Sequence, residues 1–391
     1  MDVEDTHSEA VHIAIIVNSY PPRLGGLESH VFQLANELKD AGATVTVVSL
    51  APEASDVTEA GVRVIRLRMH LPIASVISFP MWGTSRRLSR QLGRLGVTVV
   101  STHTRFFPMS FVGLRAARRM GVPVIHTEHG AGFVKSPSRA IQLASRIVDL
   151  TFGRAVLRGA TCVLAVSEPV IQFVDVLAGV KAEVFHNALR LEEWPVVVAN
   201  RAPTGIAFLG RLVGGKGWED FIDLAAELID EKGFNNLSVH ILGDGPDLPA
   251  LKARIQSRGI DTFVSLHGHA PVETIRTVLN SSVLVNPSRL AEGFQITLLE
   301  ATATAAQIVS FPVPSVQPLR ADGGPIREVA DSSYEALVGA VVEALKHPLP
   351  LIPRDILEAR WSWHARAQEY LAVVASATSA LGSPADHAGQ P

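Results

Sequence analysis

Two glutamates, Glu292 and Glu300, stand eight positions apart in the run Ala-Glu-Gly-Phe-Gln-Ile-Thr-Leu-Leu-Glu-Ala-Thr-Ala at 291–303. Pro287-Ser288 before them and Gly293 between them break regular structure, and Thr297–Ala303 reads as a helix. A helix that opens after a glycine turn presents unpaired backbone N–H groups and the positive end of its dipole, which together seat a phosphate. A carboxylate on each side of that seat accepts hydrogen bonds from hydroxyls. Phosphate beside hydroxyls is the chemistry of a nucleotide sugar.

Two cations lie upstream, in Gly210-Arg211-Leu212-Val213-Gly214-Gly215-Lys216-Gly217. The spacing satisfies the start of a P-loop, but Gly217 stands where a magnesium-holding Ser or Thr belongs. Read alone, the loop is equally a solvated turn. Read with the glutamate motif, Arg211 and Lys216 neutralise a diphosphate through charge-assisted hydrogen bonds of about 1.5–3 kcal/mol each. Gly243-Asp244-Gly245-Pro246 is by itself a weak phosphate signal and reads first as a tight turn.

These residues need a scaffold. Val11–Val17, Thr44–Leu50, Val97–Ser101, Val122–Thr127 and Thr161–Val166 are short apolar runs consistent with buried strands, and Glu28–Asp40 is an amphipathic helix. The alternation restarts after Trp194–Pro203 with strands at Gly205–Leu209 and Ser238–Leu242, further short strands, and helices at Trp218–Lys232 and Leu248–Arg258. Strand–loop–helix alternation predicts doubly wound parallel sheets. The expected organisation is α/β: two Rossmann-like domains facing a cleft, 1–190 and 204–360, a hinge at 191–203, and a disordered tail at 382–391.

The motifs in this order resemble a retaining glycosyltransferase of the GT-B fold, in family 4. The resemblance rests on Gly210-Arg211 with Lys216-Gly217, on Gly243-x-Gly245-Pro246, and on Pro287-Ser288 with Glu292-Gly293-Phe294 and Glu300-Ala301. It also rests on Tyr20-Pro21-Pro22 with Gly25-Gly26, on His126-Thr127-Glu128-His129-Gly130, on Val166-Ser167-Glu168 and on Asn187-Ala188-Leu189. It runs from about residue 12 to 375, and implies that a C-terminal helix at about 361–378 packs back on the first, acceptor-side domain.

The roles it implies are specific. Arg211 and Lys216 hold the donor diphosphate in place of a metal, and Glu300 binds the nucleotide ribose. Glu292 contacts donor-sugar hydroxyls, and the amides of Gly293, Phe294, Gln295, Ile296 and Thr297 the phosphate or sugar. Gly25, Gly26 and Gly243 let backbone approach the donor. His129 stands by the transferred sugar, completing a catalytic set with Glu292, Arg211 and Lys216. Departures from the family pattern fall at Gln295, where Gly is usual, and at 302–307 and 331–334. They admit a pseudoenzyme that only binds a nucleotide sugar; an epimerase or phosphorylase of the same fold is the other alternative.

No metal is expected. The chain has no Asp-x-Asp, and beside His126 and His129 no third or fourth ligand is apparent in the sequence. The single cysteine, Cys162, excludes an internal disulfide and favours a reducing compartment. The acidic start Met1–Glu9 lacks the basic region of a leader, so the expected location is cytoplasmic.

The net charge of −3 conceals a basic stretch, 61–160, with 16 Lys/Arg against only Glu128 and Asp149. Within it, Leu71, Ile73, Val76, Ile77, Phe79 and Trp82 lie between Arg63, Arg66 and Arg68 on one side and Arg86, Arg87, Arg90 and Arg94 on the other. Apolar residues bracketed by arginines suit an anionic membrane surface at the inner face. Arg86, Arg87, Arg90 and Arg105 are the expected contacts to membrane or acceptor, the acceptor being a hydroxyl compound, lipid-linked or anionic. No aromatic stacking platform accompanies the charge, so nucleic acid is not an expected partner. The base, the sugar and the oligomeric state are not encoded in these motifs.

Overall fold

A computed structural model describes residues 11–23, 25–73, 77–134, 138–195, 202–290 and 292–382. The chain forms two compact units, one running to His186 and resuming at Trp363, the other Asn187–Ser362.

The first unit is built on strands β1 (His12–Ile16), β2 (Thr44–Ala51), β3 (Ser55–Glu59), β4 (Val62–Arg68), β5 (His70–Ile73), β6 (Ile77–Phe79), β7 (Val99–His103), β8 (Val124–Glu128), β9 (Cys162–Ala165) and β10 (Glu183–Val184). Its main sheet has the order β10-β9-β8-β7-β1-β2-β4-β3, while β5 and β6 pair separately. The main-sheet pairs are parallel except β3–β4, which are antiparallel. Every residue of β1, β7 and β8 is buried, as strands covered on both faces must be. The chain leaves β1 toward β2 on one side and β7 on the other. Doubly wound sheets bind ligands at that point of reversal, at the strands' C-terminal ends.

The second unit carries β11 (Gly205–Leu209), β12 (Ser238–Leu242), β13 (Val264–Gly268), β14 (Ser282–Asn286), β15 (Gln307–Ser310) and β16 (Ile326–Glu328), in the order β13-β12-β11-β14-β15-β16. All pairs are parallel. Its reversal lies between β11 and β14, whose following loops carry Arg211–Lys216 and Glu292. One face of the sheet packs Phe208, Phe221 and Trp218; the other packs Leu284, Leu298, Leu299 and Trp361.

The units divide differently from the sequence expectation. Leu189, Leu191 and Trp194 are buried in the second unit's core. The Arg354 guanidinium donates to the carbonyls of Leu191 (2.8 Å) and Trp194 (2.7 Å). The start of the expected hinge is therefore fixed structure, because two large apolar side chains bind it to that core; residues 196–201 of the hinge lie outside the described residues. So do 383–391 of the expected tail. The helix Trp363–Gly382 belongs to the first unit, where its buried Tyr370 donates to Ser101 Oγ at 2.7 Å.

The β3–β4 hairpin was not legible as such. It turns at Ala60-Gly61, both at positive φ, and pairs Arg63 with Asp56 (2.8 Å) and Arg66 with Glu59 (2.6 Å). Those two arginines, read from sequence as one flank of an interfacial segment, are partnered across the hairpin; Val76 of that segment lies outside the described residues.

Candidate functional site

In the second unit, three loops at the strand ends are packed backbone against backbone. Gly243 follows β12 at φ 153°, and a Cβ there would stand 1.8 Å from the Gly210 carbonyl oxygen. Gly217 sits at φ 82° with its missing Cβ directed at the Pro287 carbonyl oxygen, 2.2 Å away. The P-loop reading thus fails for a steric reason. A Ser or Thr at 217 would collide with the backbone of the glutamate-bearing loop.

That packing brings the functional side chains together. Lys216 Nζ lies 2.5 Å from Glu292 Oε1, with both groups partly exposed. Arg211, on the same loop as Lys216, is exposed. The helix Ile296–Ala303 opens with no side-chain cap, so its first N–H groups have no partner from the capping residue. Glu300 is one turn into this helix, on the side of Ile296. Burial alone pushes its carboxyl up to about 7.

Two residues expected to offer backbone amides have their side chains engaged within the unit. Gln295 does not extend its side chain to a donor sugar. It is 3% exposed, and its Oε1 accepts from Asn286 Nδ2 (2.8 Å), which also donates to Ser310 Oγ (2.9 Å). An amide beside a buried Asn–Ser pair is held inward by hydrogen bonds that burial makes costly to break. Phe294, half-buried, places its ring 5.9 Å from that of Trp361.

In the first unit, Gly25 caps the helix Gly26–Asp40, and a Cβ at Gly26 would meet no atom within 4 Å. Glu28, in the helix's first turn, accepts from Ser19 Oγ at 2.6 Å and pairs with Arg23 at 3.4 Å. His129 follows β8. Its N–H and that of Gly130 both donate to Glu128 Oε1, at 3.0 and 2.8 Å, so one buried carboxylate shapes the turn that carries the imidazole. Burial raises that carboxyl's pKa, but Arg105 and a hydrogen bond to His126 outweigh it and hold the group well below the usual carboxylate range.

Arg105 is the clearest correction. Expected at a membrane or acceptor surface, it is 3% exposed. It pairs with Glu128 (2.9 Å) and Asp149 (3.0 Å), donates to the carbonyls of Gly130 and Gly132, and stacks over Phe173. Two buried acids demanded a buried cation. Arg86, Arg87, Arg90 and Arg94 are exposed on the helix Thr84–Arg94, and the preceding Trp82 is 97% exposed.

The histidines also regroup. His126 is bonded to Thr102 (2.9 Å) and Glu128 (3.4 Å) rather than acting with His129. His129 instead meets His103 (Nε2 to Nδ1, 3.3 Å) and His30, whose ring centroid is 4.7 Å from its own. Burial first, then the neighbouring His30, holds His103 and His129 well below the usual imidazole range, so both are neutral. The sequence hid this cluster because its members come from a helix, a strand and a loop. The one signal was a histidine at or just beyond the end of two adjacent strands.

The sequence model of Glycosyltransferase Family 4 matches residues 24–193, and that of Glycosyl transferases group 1 matches 203–347. The chain belongs to glycosyltransferase family 4. This glycosyltransferase is 22% identical to an uncharacterised glycosyltransferase of Methanocaldococcus jannaschii, over 92% of this chain and 97% of that protein. It is 26% identical to a phosphatidylinositol N-acetylglucosaminyltransferase subunit of Arabidopsis thaliana, over 90% of this chain and 79% of that protein. Among solved structures it is similar to Anabaena HepE in complex with UDP and glucose, with a TM-score of 0.69 and 15% identity, covering 94% of this chain and all of that one. The fold is GT-B, an α/β fold with two parallel-sheet domains, and the activity is sugar transfer. Among the described residues, no helix of this glycosyltransferase is long and apolar enough to cross a membrane.

Proposed function

We propose that this glycosyltransferase moves a sugar, with retention and without a metal, from a nucleotide-diphosphate sugar to a hydroxyl on a lipid-linked acceptor. One observation carries the donor half of this reading: Glu292, just before an uncapped helix, pairs with Lys216 of the loop packed against its own. The pair is a preset exchange. An arriving diphosphate takes Lys216 and Arg211, and the released Glu292 accepts hydrogen bonds from the donor sugar. Glu300, whose carboxyl lacks a partner among the described residues, receives the ribose hydroxyls.

Catalysis follows from where charge develops. Breaking the bond between sugar and phosphate leaves growing negative charge on the phosphate, and Arg211, Lys216 and the helix N–H groups are fixed cationic partners for it. His129, neutral and oriented by Glu128, offers its ring or adjacent carbonyl to the oxocarbenium-like sugar. The leaving phosphate takes the proton of the acceptor hydroxyl on the face it leaves, which preserves the anomeric configuration.

Two observations support a lipid-linked acceptor. The exposed Trp82, Met81 and Leu71 stand beside exposed arginines; in the same unit Ile141, Leu143 and Ile147 of the helix Arg139–Val148 are each more than half exposed. The name of the Arabidopsis relative specifies a phosphatidylinositol substrate for that protein. The test has two arms. Product from a screen of UDP-, GDP- and ADP-sugars with lipid acceptors should keep the donor's anomeric configuration by NMR, and should form undiminished in EDTA. Inversion refutes retention, and a magnesium-reversible loss refutes metal independence. Flotation with vesicles should require anionic lipid and weaken in Trp82→Ala; binding to neutral vesicles alone refutes the surface reading.

A further inference from the structure

We propose that His30, His103 and His129 form a three-imidazole site for a borderline divalent transition ion such as Zn2+ or Co2+. One ligating nitrogen from each lies within 4.8 Å of the others. The tightest pair, His103 Nδ1 and His129 Nε2, is 3.3 Å apart. Nitrogens bound at about 2.0–2.1 Å in a tetrahedron are about 3.3–3.4 Å apart, so this pair already spans one edge of a zinc polyhedron. The third nitrogen, from His30, lies within 4.8 Å of both and closes on the ion as it binds.

The surroundings suit a metal in three further ways. First, His30 and His103 are buried, so an ion held there is shielded from competition by bulk water. Second, His103 has an outer support. Its Nε2 lies 3.1 Å from Ser101 Oγ, and Ser101 Oγ accepts from the buried Tyr370 hydroxyl at 2.7 Å. With Nε2–H donating to Ser101, the lone pair of Nδ1 turns toward the cluster, the tautomer a ligand requires. Third, the rings are held by neighbours. His30 meets the Trp363 ring edge-on, with centroids 5.0 Å apart. His129 is the most exposed of the three, which leaves a fourth position for water or a ligand atom.

The site's three ligands all belong to the first unit, whereas Arg211 and Lys216 belong to the second. Its occupancy would engage His129, so Zn2+ inhibits transfer; that consequence rests on the proposed role of His129, whereas the binding does not.

The test is spectroscopic and independent of turnover. The full chain, stripped of metal and titrated with Co2+, should take up one equivalent with the intense visible absorption of tetrahedral cobalt, and Zn2+ should displace it. His103→Asn and His30→Gln should each abolish the band, while His240→Asn, in the second unit, keeps it. Ser101→Ala retains all three ligands and should weaken binding about 10–100-fold, the usual cost of losing an outer-shell partner. This variant keeps the proposal open to refutation should a histidine variant misfold. Absence of the band in the wild type, its persistence in either ligand variant, its loss in His240→Asn, or unchanged affinity in Ser101→Ala overturns the proposal.

Discussion

The carboxyl of Glu300 gives the proposed donor site an expected pH dependence. Burial raises it from 4.5 to about 7, with no cation to oppose the shift. In the proposed donor site ribose hydroxyls donate to this carboxylate, so on that reading donor binding requires its ionised form. The ionised fraction rises from about one-tenth at about pH 6 to about nine-tenths at about pH 8, a tenfold gain in affinity worth about 1.4 kcal/mol. A nucleotide sugar is the right ligand, because its diphosphate is esterified at both ends and keeps its charge over this range. Calorimetry should show Kd falling about tenfold from pH 6 to pH 8, and the slope should vanish in Glu300→Gln. Stability runs the other way. A carboxyl raised on folding costs nothing below its unfolded value and progressively more between pH 4.5 and about 7. Glu300→Gln should therefore stabilise the free protein at pH 8, by up to about 3 kcal/mol, and leave it unchanged near pH 4. A flat affinity profile in the wild type, or the same slope in the variant, refutes this reasoning.

Three other substitutions have defined outcomes. Lys216→Ala should raise the donor Kd by about 10–100-fold, the loss of one charge-assisted hydrogen bond, with Tm little changed because its pair with Glu292 is partly exposed; calorimetry beside a melting curve separates the two. Gly217→Ala should lower stability by more than about 1 kcal/mol in denaturant unfolding, since the new Cβ meets the Pro287 carbonyl and φ is positive. Arg105→Met should cost about 3–5 kcal/mol, because it strands Glu128 and Asp149 without a cation; recovery of much of that loss in Arg105→Met with Asp149→Asn would confirm the buried charge as the cause.

The two parallel sheets and the donor loops were legible because their signals are local. The strands Gly205–Leu209 and Ser238–Leu242 and the helix Leu248–Arg258 stand where the apolar pattern puts them. Lys216 and Glu292 meet because both follow strands flanking the reversal of one sheet. What escaped depended on partners distant in sequence. Arg105 is basic within a basic stretch, and nothing nearby shows that Asp149, 44 positions on, takes it inside. Gln295 stood out only as a side chain where Gly is usual, and its inward partner Asn286 lies nine positions back, across a turn. His30 and His103 carry no motif of their own; the sheet, not the spacing, brings them to His129.

The glycine contacts between the three second-unit loops bear on how entropy is spent. A flexible cation-bearing loop would have to be ordered by each arriving donor, at about 1–2 kcal/mol for every residue fixed. Here Gly217 against Pro287 and Gly243 against Gly210 leave no room for such freedom, so that cost falls once, when the chain folds. The contacts proposed for Arg211 and Lys216 would then be expressed nearly undiminished in donor affinity. The same rigidity narrows how this enzyme can diversify. Adding side chains at the glycines disrupts the joint between loops before it reshapes the pocket, so a change of sugar has to come from residues such as Glu292 that project from it.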